Sequence, residues 1–206
     1  MLGRTDSQSS GIERAVLDAA VAARGHFCYE SGHHGDLWLD LDALFVDARR
    51  AQGWASALAD QAAVCRPELI CGPLTGGAFV AQSMAAEIGA GFLFAERLVS
   101  ATGAVCYRVP ASLRRMLRGR RVLLVDDVIN AGSALLSTLA DLLDCDAELV
   151  GLAALLTLGE AASRVASRRI AARYSVPLFT LASLERGMWT PEECPLCSSG
   201  VPLVDR

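Results

Sequence analysis

The sequence predicts an α/β protein, a Rossmann-like parallel sheet flanked by helices with a small N-terminal hood. Short apolar runs (ELICG, GFLFA, RVLLV, LVGLAALL and VPLFTL) alternate with amphipathic stretches of helical period. Glycine-containing loops follow two of these runs and lead into helices. With 206 residues, 52% of them hydrophobic and only 6% aromatic, the chain suits one domain with a full core. Residues 1–206 are therefore read as a single domain, its hood formed by about residues 1–47 together with the tail 183–206.

In order along the chain, Gly11 to Arg24 carries Ile12, Val16, Leu17 and Ala20 at helical spacing, and Gly25 stops it. Gly25 to Asp42 reads as polar, then extended. Ala48 to Cys65 is a second amphipathic helix. Glu68 to Gly72 is a strand, Pro73 to Gly77 a tight loop and Ala78 to Ile88 a helix. Gly91 to Ala95 is a strand, and Arg97 to Arg108 a hairpin or mobile loop around Gly103. Arg121 to Val125 is a strand and Ser133 to Leu143 a helix. Leu149 to Leu156 is a strand, Ala161 to Ala172 a helix and Val176 to Leu181 the last strand. A parallel sheet binds ligands at the carboxyl ends of its strands, which directs attention to the loops after Cys71, Ala95 and Val125.

Composition narrows the partners. The formal net charge is −4 and there is no basic run, so nucleic acid is not expected. All 19 basic side chains are arginine, so any cationic role falls to arginine. No apolar stretch suggests a membrane span or a signal core, and the cytoplasm is the expected location. Seven cysteines, Cys28, Cys65, Cys71, Cys106, Cys145, Cys194 and Cys197, sit mostly in apolar runs and suggest reduced thiols rather than disulfides.

The chemistry concentrates in VLLVDDVINAGSA. An apolar strand delivers Asp126 and Asp127 to the sheet edge. The loop Asn130, Ala131, Gly132, Ser133 and Ala134 then offers backbone amides at a helix start, a cradle for phosphate. Two carboxylates beside such a cradle suit the two hydroxyls of a ribose. There is no GxGxxG after a first strand and no phosphate-loop lysine. The plainer reading is a strand ending in solvated aspartates. A second loop, ICGPLTGGAFVA, presents Pro73, Thr75, Gly76 and Gly77 before a helix and can also expose amides to an anion. The plainer reading of His26, His33 and His34 is solvated loop residues, and a metal site from His33 and His34 alone is not expected, since neighbours rarely share one ion.

The first segment resembles the phosphoribosyl pyrophosphate signature of type I phosphoribosyltransferases, with Asn130 and Ala131 where that family usually has threonines. The second resembles the family's pyrophosphate loop. GHFCYESGHHGDLWLDLDALFVD (25–47) is similar to the hood of orotate phosphoribosyltransferases, and LERGMWTPEECPLCSSGVPLV (184–204) to the tail of a short bacterial subgroup ending in Cys-Pro-Leu-Cys.

The resemblance implies transfer of ribose 5-phosphate from phosphoribosyl pyrophosphate to a nucleobase, orotate first, with Mg²⁺ bound alongside the phosphoribosyl pyrophosphate and a homodimer as the assembly. It places Asp126 and Asp127 on the ribose, and Arg97 with the Pro73, Thr75, Gly76 and Gly77 loop on pyrophosphate. Ser31, Gly32, His34, Trp38, Leu39 and Leu158 would line the base. Two departures stand out. The family's loop lysine is missing, with Arg97 and Arg108 as candidate replacements, and Leu158 stands where an arginine holds the orotate carboxylate. A transferase for another base, a phosphoribosyl pyrophosphate-binding regulatory homologue without turnover, and a different phosphate-binding enzyme are the alternatives. Cys194 and Cys197 have the spacing of half a zinc site. With no second CxxC, unmetallated thiols in a turn are expected, since closure would need a partner subunit or other cysteines.

Overall fold

The computed structural model describes residues 5–28, 32–130, 132–158, 170–185 and 187–204. Its main sheet has six strands in the order β5-β4-β3-β6-β7-β8. These are β3 (Leu69–Pro73), β4 (Gly91–Val99), β5 (Val105–Arg108), β6 (Arg121–Ile129), β7 (Glu148–Leu158) and β8 (Leu178–Leu184). All neighbours are parallel except β4 and β5, which form the antiparallel edge hairpin expected around Gly103. Of the predicted helix Ala161 to Ala172, residues 161–169 lie outside the described residues; residues 170–174 are helical.

Helices cover both faces, which is why the strands read as continuous apolar runs rather than alternating ones. On one face Ile70, Leu123, Val125 and Leu155 meet Trp54 and Leu58 of α3 (Ala48–Ala62) and Val80, Ala81 and Met84 of α4 (Gly76–Ile88). On the other, Cys71, Leu93, Leu124 and Leu152 meet Leu135, Leu139 and Leu142 of α5 (Ser133–Asp144). Asp47 caps α3, accepting from the amides of Arg49 and Arg50 at 3.1 Å. Chain order reverses between β3 and β6. The connection through α4 leads outward to β4, while β6 pairs on the other side of β3, so a crevice opens at the carboxyl ends of these two strands.

The hood is a separate three-stranded sheet in the order β1-β2-β9. α1 (Thr5–Ala20) ends four residues earlier than its sequence suggests, and β1 (Val21–Cys28) starts there. Ala22, Ala23 and Arg24 favour a helix locally, but pairing with β2 (His34–Leu39) overrides that weak preference. The tail joins this sheet through β9 (Met188–Trp189), whose Trp189 pairs with His34. Phe27 is buried against Trp38, their rings 5.7 Å apart.

Gly72 is where β3 meets the start of α4. A Cβ there would fall into the backbone carbonyl of Gly77. Gly72→Ala should therefore cost about 3 kcal/mol or more, because backbone rather than a pliable side chain must move. The midpoint of urea unfolding measures it, and an unchanged midpoint would contradict this packing.

Candidate functional site

β6 carries Asp126 and Asp127 to the crevice, Asp126 only 7% exposed. The Asp127 amide donates to Asp126 Oδ1 at 3.1 Å, so the first carboxylate is fixed by the backbone of the second. Both carboxyls are raised above the ordinary aspartate range. Burial is the main cause for each, and for Asp126 the neighbouring Asp127 charge adds to it. Two such groups gain from a ligand that brings hydroxyl donors, or a cation, between them.

The glycine loop comes against this pair. A Cβ at Gly76 would land on the Asp127 carboxylate, and one at Gly77 would lie 2.8 Å from Asp126 Oδ1. Thus two motifs about 50 residues apart in sequence form one wall, and only glycine allows this approach. Pro73 is buried at the end of β3, pairing with Ala95. The Leu74–Thr75 peptide bond is cis, and the Leu74 amide donates to the Ala95 carbonyl at 2.9 Å. Thr75 precedes α4, and its hydroxyl does not cap the helix. The first-turn amides of α4 and α5 therefore face the crevice from two helix starts, each with the partial positive charge of a helix N-terminus.

Gly76→Ala follows from this contact. The Asp127 carboxylate is the mobile end of a side chain, so it would swing aside at small cost to stability. Any activity that depends on the acid pair should fall about 10- to 100-fold through misplacement of a positioning group. Steady-state kinetics alongside a melting curve check this; full activity in the variant would contradict the shared wall.

Gly132, at φ 76°, opens α5, and its carbonyl accepts the Leu136 amide at 2.8 Å. Ser133 and Ala134 form the first turn, and Asn130 follows the end of β6 as the first residue of the loop. Ala131 lies outside the described residues, as does Ser31. Cys71, on β3 behind the loop, is a packing group rather than a nucleophile. Burial, with a smaller contribution from Asp141, pushes its thiol up to about 12.

Arg97 and Arg108, both expected at pyrophosphate, lie on the β4–β5 hairpin but on opposite faces. Arg108 is directly opposite Glu96, and Arg97 opposite Tyr107. Residues paired directly across antiparallel strands share a face. Glu96 continues the alternation of Phe92 and Phe94, and Phe92 packs with the α4 core. Arg97 continues Leu93 and Ala95, which pack with α5. Only Arg108 thus leaves the hairpin on the side of the glycine loop.

The base-site candidates are less gathered. Leu158 is 2% exposed and belongs to the core, at the end of β7 opposite Leu184. Leu39 also packs on that core, and Gly32 is an exposed turn residue at φ 78°. Trp38 rests on Phe27. The ring of His34 turns away from a base-lining role, its Nδ1 3.2 Å from Cys197 Sγ and 3.0 Å from His26 Nε2. Neither His26 nor His34 is a solvated loop residue, since both are buried. Sequence reasoning also missed Asp141. It is buried on α5 and accepts from the Val109 amide at 2.9 Å and from the Arg114 guanidinium, so it anchors the end of the hairpin.

Comparison with known proteins adds to this geometry. The sequence model of the phosphoribosyl transferase domain matches residues 46–178. An orotate phosphoribosyltransferase of Caldanaerobacter subterraneus is 28% identical over 187 residues, covering 89% of each chain. One from Campylobacter curvus is 29% identical over 92% of this chain and 94% of its own. Among solved structures, the Mycobacterium tuberculosis orotate phosphoribosyltransferase in complex with inorganic phosphate superposes with a TM-score of 0.63 at 20% identity, covering 86% of this chain and 96% of that one. The same enzyme in complex with 5-phospho-α-D-ribosyl 1-diphosphate gives a TM-score of 0.59 at 17% identity, over 88% and 92%.

Proposed function

The chain belongs to the phosphoribosyl transferase domain family, and from that premise we propose that it transfers ribose 5-phosphate from phosphoribosyl pyrophosphate to orotate. The observation that carries this is the buried Asp126–Asp127 pair set directly against the Gly76–Gly77 loop. The carboxylates accept the ribose hydroxyls. The amides at the start of α5 hold the 5′-phosphate, and those at the start of α4 hold the pyrophosphate. A nitrogen of the base attacks C1′ as the C1′–O bond to pyrophosphate breaks; that bond's electron pair leaves with pyrophosphate, and the nitrogen's proton passes to pyrophosphate or water. No covalent enzyme intermediate is needed. Catalysis consists of positioning and of stabilising the departing charge.

The donor set also fits Mg²⁺ carried in with the substrate, because a hard cation prefers oxygen ligands and, among the described residues, no cation lowers the pKa of the acid pair. Asp126 and Asp127 are the residues that would hold Mg²⁺, and when bound it would neutralise part of the pyrophosphate charge. A homodimer in the cytoplasm is the proposed setting; among the described residues no helix is long and apolar enough to cross a membrane.

Orotate carries a carboxylate, and at the position where the resembled family has its carboxylate-holding arginine this chain has Leu158, apolar and packed into the core. This one observation favours a second reading, a less acidic base. Pyrophosphate release with Mg²⁺, phosphoribosyl pyrophosphate and a panel of bases separates the two. Orotate-dependent release supports the first, and release with another base only supports the second. A melting temperature raised by phosphoribosyl pyrophosphate without release under any base would mark a binding protein instead.

A further inference from the structure

Far along the chain from the acid pair, the hood and the tail bring together four side chains of metal-binding chemistry. His26 on β1, His34 on β2, and Cys194 and Cys197 flanking a tight turn place one ligand atom each within 4.8 Å of all the others. We propose that these four residues hold one structural zinc ion that fastens the C-terminal tail to the hood.

Four of the six separations among these atoms have the size of a tetrahedron's edges, and all six lie within 4.8 Å. Around a zinc ion with Zn–N about 2.05 Å and Zn–S about 2.3 Å, tetrahedral ligands lie about 3.3 Å apart for N···N and about 3.6 Å apart for N···S. The structure has His26 Nε2 to His34 Nδ1 at 3.0 Å, Cys194 Sγ to His26 Nε2 at 3.5 Å, Cys197 Sγ to His26 Nε2 at 3.7 Å and Cys197 Sγ to His34 Nδ1 at 3.2 Å.

Hydrogen bonding among neutral groups explains this convergence poorly. His26 Nδ1 is 2.7 Å from the Val201 carbonyl, an acceptor only, so Nδ1 carries the proton and Nε2 presents one lone pair. Three polar atoms crowd that single lone pair, whereas one cation at their centre satisfies all four ligands. A carbonyl holding the far nitrogen of a histidine is also the usual outer support of a metal-bound imidazole.

The chain is shaped for the site. Cys194 precedes the short helix Pro195–Ser198, the Ser198 amide donates to the Cys194 carbonyl, and Gly200 turns the chain at φ 68°. Val204 then donates to the His26 carbonyl at 2.7 Å, so the tail lies along β1. His26, His34 and Cys194 are buried, with Cys197 at the rim. Two thiolates and two imidazoles select zinc, and four protein ligands leave no position for a reacting water, so the role is structural. The proposal does not depend on the transferase reading, and its tests need no substrate.

Full-length protein purified under reducing conditions should contain one zinc per chain by mass spectrometry of metals. Replacement by Co²⁺ should give visible tetrahedral bands with a thiolate-to-cobalt charge-transfer band. Chelation should lower Tm by about 5–10 °C, and added zinc should restore it. Cys197→Ser, at the exposed rim, should lose the charge-transfer intensity of one thiolate and weaken zinc retention at least 10-fold while the chain still folds. Protein that takes up no stoichiometric zinc after reconstitution, or Co²⁺ spectra unchanged by both Cys197→Ser and Cys194→Ser, would overturn the site.

Discussion

Asp126→Asn is expected to lower kcat/KM by about 10- to 100-fold and, at the same time, to raise the melting temperature. The activity loss follows from replacing a charged acceptor by a neutral one. Charge-assisted hydrogen bonds contribute about 1.5–3 kcal/mol each, and about 1.4 kcal/mol is a factor of ten in rate. The stability gain follows from the cause of the raised pKa. Asp126 is destabilised as an anion by burial first and by Asp127 second, and an amide removes both penalties. Relief of a strained functional site commonly stabilises by about 0.5–2 kcal/mol, or ~2–4 °C per kcal/mol for a chain of this size. Steady-state kinetics and calorimetry on one preparation check both halves; a variant that loses activity and stability together would mark Asp126 as a structural group.

The same pair sets a pH dependence. A carboxyl whose native pKa lies above its unfolded value holds its proton more tightly when folded. Stability of the ligand-free protein therefore falls as pH rises from the ordinary carboxylate range through the raised native value, and levels off above it. Substrate hydroxyls need the ionised acceptors, so affinity for phosphoribosyl pyrophosphate runs the other way and weakens as pH falls through that window. Asp126→Asn should reduce the slope of the stability profile, leaving the part that the burial of Asp127 contributes. A wild-type profile without a slope in that window would contradict the pair's assigned environment.

What could be read from sequence was what lies close in sequence. β6 and β7 are long apolar runs and β3 a short one, and the acid pair and glycine loop are each local motifs. Their meeting at Gly76 and Asp127 was inferable too, because parallel strands gather their carboxyl-end loops at one edge. The His26–Cys194 contact spans 168 residues and crosses from hood to tail, so no local pattern announces it. The cysteine spacing was visible as half of a site, but the completing ligands were sought among cysteines, and the histidines read as polar loop residues. β1 was hidden for a related reason: its alanines favour a helix, and only pairing with β2 makes them a strand. Leu158 was misplaced because a position in a motif says where a residue stands along a strand, not whether its side chain meets a cavity or the core.

Arg108→Ala should lower kcat about 100-fold with KM for phosphoribosyl pyrophosphate changed less than about threefold, while Arg97→Ala should leave kcat within about threefold of wild type. The difference rests on the hairpin's two faces. Arg108 shares the face of Glu96, Phe94 and Phe92, the α4 side, from which the glycine loop rises; Arg97 shares that of Tyr107, Ala95 and Leu93. Arg108 is also firmly mounted. The amides on either side of it are held from α5, Tyr107 by Ser137 Oγ at 2.8 Å and Val109 by Asp141 Oδ2 at 2.9 Å. A cation fixed in place before the reaction stabilises developing charge without reorganisation, and loss of one such donor typically costs about 10²–10³ in kcat. Charge alone is not sufficient on this argument, because a guanidinium spans two phosphate oxygens where an ammonium meets one. Arg108→Lys should therefore recover only part of the loss. Equal losses in the two alanine variants would show that the hairpin changes its facing when substrate binds, and would remove the reason for preferring Arg108.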